Sequence, residues 1–135
     1  MRVLALDYGS ARCGCAVSDP TGTIVTPIAP VARPGSRRGI ALLQQLVRER
    51  EVERVVVGLP LSLRGDDTAQ TLETRAFAER LSQRLGAGVA VEMHDERLTT
   101  RMARRDQGAS ASEDSRAAAH LLESWLLAQS GHGSR

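Results

Sequence analysis

Residues 2–6 (RVLAL) make an apolar run closed by Asp7, Tyr8 and Gly9, the pattern of a strand buried on both faces that ends at an exposed edge. Shorter apolar segments follow at 13–18 and 23–29, separated by the turn-forming Asp19-Pro20-Thr21-Gly22. Together they predict a three-stranded meander. Pro27 and Pro30 cannot donate to a ladder, which places the third strand at a sheet edge. From Arg37 to Glu51 the period changes: Ile40, Leu43, Leu46 and Val47 share a stripe, predicting a helix that lies on a sheet.

Val55, Val56 and Val57 predict another buried strand, ended by Gly58-Leu59-Pro60. A polar loop then leads to a second helix over about 68–85, stopped by Gly86 and Gly88. Val89, Val91 and Met93 alternate as a fifth strand. A further helix is expected from Thr99 or Thr100 to about Gly108, and a last one from Ser110 or Ser112 to about Gln129, with Ser110 and Glu113 at capping-box spacing. The order βββαβαβαα describes an α/β fold with a mixed five-stranded sheet and helices on both faces. It fills a single domain over residues 1–130, with 131–135 expected to be a disordered tail.

Composition narrows the function classes. The 135 residues are 41% hydrophobic and 25% charged, and no run approaches the ~18 apolar residues of a membrane span. The first residues lack a signal-peptide layout, so a cytoplasmic location is expected. Cys13 and Cys15 match neither zinc nor thioredoxin-type spacing and read as reduced, packed thiols. Three aromatic residues are too few for a base-stacking platform. The formal charge is only +2, yet all eighteen basic residues are Arg, and Lys is absent. Arg suits bidentate phosphate contacts, while a compositional preference for Arg explains the same count.

Three places carry acids that a solvated surface explains poorly. Asp7 ends a buried strand where α/β sheets often place ligands, although a turn-initiating Asp looks the same. Asp114 lies four residues before Ala118 and seven before Leu121, near the middle of the apolar stripe that includes Leu122 and Trp125, although an ordinary helix-start acid that swings toward water looks the same. A carboxylate aimed along that stripe costs several kcal/mol of desolvation unless a cation or donor meets it. Asp95 and Glu96 close the fifth strand, and adjacent residues there face opposite sides. Spacing alone does not choose between them.

One concentrated basic segment follows, Arg97 to Arg105, with four arginines and no acid. Arg97, Arg101, Arg104 and Arg105 would share one helical face beside the acids, and Thr99 and Thr100 offer hydroxyls and helix-start N–H groups to a phosphate. Three carboxylates converging from a first strand, a later strand end and a final helix suit Mg²⁺ or Mn²⁺, which prefer hard oxygen ligands. Such ions promote phosphodiester hydrolysis. No nucleophile elbow, P-loop or Rossmann glycine pattern is present.

The segments LALDYGSARCGCAVSD (4–19), VVVGLPLSLRGDDT (55–68), HDERLTT (94–100) and EDSRAAAHLLESWL (113–126) resemble, in order, the signature blocks of the YqgF or RuvX-like family of pre-16S rRNA nucleases and Holliday junction resolvases. The resemblance implies an RNase H-like fold and a cytoplasmic, divalent-metal-dependent nuclease that matures the 5′ end of 16S rRNA, with branched DNA or non-catalytic RNA binding in ribosome assembly as alternatives. Carried over by position, Asp7, Glu96 and Asp114 become the catalytic and metal-ligating acids, with Asp95 as the alternate ligand. Arg12, Arg97, Thr99, Thr100, Arg101 and Arg104 would face a nucleic-acid partner, and Gly58 to Leu61 would floor the site. A resolvase would also require a symmetric homodimer. Two departures stand out: the stretch before the last helix shrinks to DQGASASE and carries no positive charge, and the GLP block has no acid.

Overall fold

The predicted apolar segments become five strands: β1 (Val3–Asp7), β2 (Arg12–Ser18), β3 (Val25–Ala32), β4 (Arg54–Leu59) and β5 (Ala90–Asp95). The computed structural model describes residues 1–98 and 111–133. Within them lie helices α1 (Arg37–Glu49), α2 (Ala69–Leu85) and α3 (Ala111–Gly133), and a 3-10 turn at Glu96–Leu98 directly after β5. The helix expected between Thr99 and Gly108, with Thr99, Thr100, Arg101, Arg104 and Arg105, falls outside the described residues.

The sheet order is β3-β2-β1-β4-β5. β1, β2 and β3 pair antiparallel, whereas β4 joins β1 and β5 joins β4 in parallel, reached through the α1 and α2 crossovers. β3 is an edge strand, as Pro27 and Pro30 require. Its pairing with β2 slips by one residue between Cys13 and Cys15, opposite Ala29 and Pro30. Ser36 caps α1 by accepting from the Gly39 N–H, and Thr68 and Thr71 form a reciprocal capping box on α2.

Two cores flank the sheet. Leu4, Leu6, Cys13, Cys15, Val55 and Val57 pack with Ile40, Leu43 and Val47 of α1 and Phe77 and Leu81 of α2. On the other face, Val3, Ala5, Ala16 and Val56 pack with Ala118, Leu121, Leu122 and Trp125 of α3. Both thiols are free and buried. Small residues on this second face let α3 lie close to the sheet. A Cβ placed on Gly14 would stand 1.9 Å from the carbonyl oxygen of Asp114, so the first turn of α3 rests directly on β2. The buried Ser115 hydroxyl strengthens this seat by donating to the Ile28 carbonyl and accepting from the Cys15 N–H.

α3 runs to Gly133, past the expected end at Gln129 and into the segment expected to be a tail. Glycine near a helix end costs only about 1 kcal/mol against Ala, which does not by itself terminate the helix. Among the described residues, no helix is long and apolar enough to cross a membrane.

Candidate nuclease site

Strand alternation decides which side chains meet. Val3 and Ala5 of β1 face α3, so Asp7 does too. On β5, Val91 and Met93 pack against the α1–α2 core, which turns the even-numbered positions toward α3. Accordingly Trp125 Nε1 donates to Glu92 Oε2 at 2.6 Å, and His94 Nε2 lies 3.0 Å from Ser124 Oγ. Glu96, next in that series, meets Asp7, and a hydrogen bond links the two carboxyls. Burial lowers the pKa of His94 from its usual value, against the opposing pull of Asp95 and Glu92.

The Glu96 carboxylate lies over Gly58 of β4, where a Cβ would stand 2.7 Å from Glu96 Oε2. Asp114 completes the group from the first turn of α3, close enough that its charge acts on Asp7. Burial, and secondarily that charge, push the Asp7 carboxyl up to about 6, with the Glu96 hydrogen bond acting in the opposite sense.

Asp114 does not sit in the middle of the apolar stripe. Ser115 takes the buried position, and the Asp114 side chain at the stripe's edge is 34% exposed. A cation meets it there: Arg12 Nε donates to Asp114 Oδ2 at 2.9 Å.

Asp95 faces away from the other three acids. Its oxygens accept from Arg97 Nε at 2.9 and 3.0 Å, from Nη2 at 2.6 Å and from the Arg97 backbone N–H at 2.9 Å. The Arg97 hydrogen bonds hold its carboxyl below the usual carboxylate range. Arg97 also donates through Nη1 to the Leu63 carbonyl and lies 3.3 Å from where a Gly65 Cβ would be. Gly65 has φ +90°, which favours glycine, so this close approach belongs to the turn itself.

The structure thus brings Asp7, Glu96 and Asp114 together, with Arg12 beside them, and directs Asp95 and Arg97 to the β4–α2 loop. Gly14 is the residue on which the turn carrying Asp114 rests and that the motifs did not single out. A glycine inside a buried strand was its available signal.

A family model described as "RuvX: Holliday junction resolvase" matches residues 1–128. A relative from Anaeromyxobacter sp. (strain Fw109-5), named "Putative pre-16S rRNA nuclease", is 41% identical over 134 residues, covering 93% of this chain and 96% of its own. A relative of the same name from Nocardia farcinica (strain IFM 10152) is 41% identical over 139 residues, covering 93% and 77%. Among solved structures, T. thermophilus RuvC in complex with a Holliday junction substrate matches with a TM-score of 0.61 at 17% identity, covering 97% of each chain. The fowlpox virus Holliday junction resolvase matches with a TM-score of 0.59 at 14% identity, covering 95% of this chain and 99% of its own. These two likenesses establish the RuvC-type, RNase H-like fold.

Proposed function

The chain belongs to the RuvX family, and on that footing we propose that it is a cytoplasmic nuclease that hydrolyses phosphodiester bonds in precursor 16S rRNA with the aid of Mg²⁺ or Mn²⁺. The observation that carries the reading is the convergence of Asp7, Glu96 and Asp114 from β1, the end of β5 and the start of α3.

The donor set fits such an ion in its chemistry. All three groups are carboxylates, the hard oxygen ligands these cations prefer. Asp7 is held in a setting that disfavours its charge, a deficit a cation would relieve. Among the described residues, no group of three or more His, Cys, Asp or Glu side chains already has the arrangement of a metal cage. Asp114 is instead turned to Arg12. Asp7, Glu96 and Asp114 would hold the ion, which supplies charge stabilisation at a phosphoryl oxygen and activation of water near neutral pH. Gly58 keeps the space that Glu96 occupies, and the Gly14 contact fixes where α3 presents Asp114. Asp95 holds Arg97 against the β4–α2 loop, and the sequence that follows, with Thr99, Thr100, Arg101 and Arg104, is proposed to grip phosphates.

Incubating the full chain with RNA carrying the 16S precursor 5′ leader, and with a four-way DNA junction, tests the proposal. Mg²⁺ or Mn²⁺ should support cleavage of the leader, and EDTA should abolish it. Preferential cutting of the junction by a dimer would move the substrate to branched DNA. Metal-independent cleavage, or none of either substrate, would overturn the reading.

Gly58→Ala probes the floor of the site. The added methyl collides with the Glu96 side chain along its length, at Oε2, Cγ and Cδ, rather than with backbone, so the fold should survive at a cost of about 1–3 kcal/mol. Displacement of Glu96 should lower metal-supported cleavage at least about tenfold, because a misplacement of order 1 Å at a reacting centre has large rate effects. Wild-type rates in this variant would show that Glu96 is dispensable.

A further inference from the structure

Arg12 opens β2, two residues before the Gly14 against which the first turn of α3 rests. The seat limits how Asp114 can respond to a new neighbour: its backbone is held by Gly14 and by the Ser115 hydroxyl, so its carboxylate is left mainly side-chain rotation. One end of that rotation is occupied, because Arg12 Nε donates to Oδ2 at 2.9 Å. The contact uses Nε alone rather than the two-pronged fork that makes arginine pairs strong. With side-chain exposures of 58% and 34%, the pair is open to water and weak.

We propose that Arg12 is a competing counter-cation: it holds the Asp114 carboxylate in the metal-free protein, must release it when a divalent ion enters the acid cluster, and thereby sets how tightly that ion binds. The proposal rests on the reading of Asp7, Glu96 and Asp114 as a metal site. Arg12 is suited to this role by being strong enough to orient Asp114 and weak enough to be displaced. Once displaced, its guanidinium remains at the mouth of the site with its donors available to a phosphate.

Mn²⁺ titration of the metal-free full chain by calorimetry reads the competition directly, without turnover. Arg12→Ala should bind Mn²⁺ about threefold to fivefold more tightly than wild type, the factor expected for removing an exposed ion pair of up to about 1 kcal/mol. Arg12→Gln, which retains the length of the side chain without its charge, should show the same gain and guards against a packing artefact in the alanine variant. Added salt should tighten Mn²⁺ binding in the variants less than, or weaken it more than, in wild type, because only wild type has a pair for salt to screen. Unchanged or weaker Mn²⁺ binding in both variants, with wild type binding normally, overturns the role of Arg12 and leaves the metal site standing. Absence of Mn²⁺ binding in wild type overturns both.

Discussion

Asp7→Asn should abolish metal-supported cleavage and at the same time make the metal-free protein more stable. The cleavage loss should be at least about a hundredfold, because a ligand carboxylate that helps place a divalent ion contributes several kcal/mol to transition-state stabilisation. The stability gain follows from the setting of Asp7. Its carboxyl is pushed from 3.8 up to about 6 by burial and by Asp114, so above pH 6 the folded chain bears a charge that the unfolded chain would carry more cheaply. The shift corresponds to about 3 kcal/mol at most. Asparagine removes that cost but forfeits part of the hydrogen bonding to Glu96, so a net gain of about 1–2 kcal/mol at pH 8 is expected.

The pH dependence separates this cause from a generic effect of substitution. Because the folded state retains the Asp7 proton up to about pH 6 and the unfolded state loses it near 3.8, wild-type stability should fall relative to Asp7→Asn as pH rises through that window, then level off. Denaturant unfolding of both proteins at pH 4, 5, 6 and 8, in EDTA, measures the difference. A variant less stable than wild type at pH 8 would mean that Asp7 is not strained. Cleavage surviving in the variant would remove Asp7 from the site. The opposed signs are the usual mark of a residue kept for function at a cost in stability.

The strands and crossover helices were legible because their apolar periods differ and their ends carry turn and cap residues. The site was legible only in part, and the reason lies in particular residues. The run before Asp7 is apolar on both faces, so its pattern carries no information about which face the carboxylate joins. The choice between Asp95 and Glu96 needed exactly that knowledge; once α3 is seen to cover Val3 and Ala5, alternation along Glu92, His94 and Glu96 supplies the answer. The stripe on α3 pointed Asp114 toward the core, whereas its side chain is part-exposed and paired with Arg12, which lies 102 residues away in sequence, and only the packing of α3 on β2 brings the two together. The segment most basic in sequence contributes Arg97 to the described site region, and there the arginine is bound to Asp95 and the Leu63 carbonyl.

Gly14→Ala should be the most damaging substitution to the fold among those at the site. Unlike the methyl at Gly58, which meets a movable side chain, a Cβ at Gly14 meets backbone on three counts: the Asp114 carbonyl oxygen at 1.9 Å, its carbon at 2.3 Å and the Ser115 nitrogen at 2.9 Å. None of these can rotate away. Relief requires lifting the first turn of α3, which breaks the Ser115 hydroxyl bonds to Ile28 and Cys15 and loosens the core that Ala118, Leu121 and Leu122 share with Val3, Ala5 and Ala16. The expected cost is about 3 kcal/mol or more, at the upper end for overpacking. Trp125, the only tryptophan, is buried in that core and hydrogen-bonded to Glu92, so its fluorescence reports the detachment of α3 during urea unfolding. The variant should lose stability and, where still folded, bind Mn²⁺ more weakly, because Asp114 moves with the helix turn that carries it. An unfolding midpoint equal to wild type would show that α3 does not rest on β2 at Gly14, and with it would go the fixed placement of Asp114 on which both the acid cluster and the Arg12 competition depend.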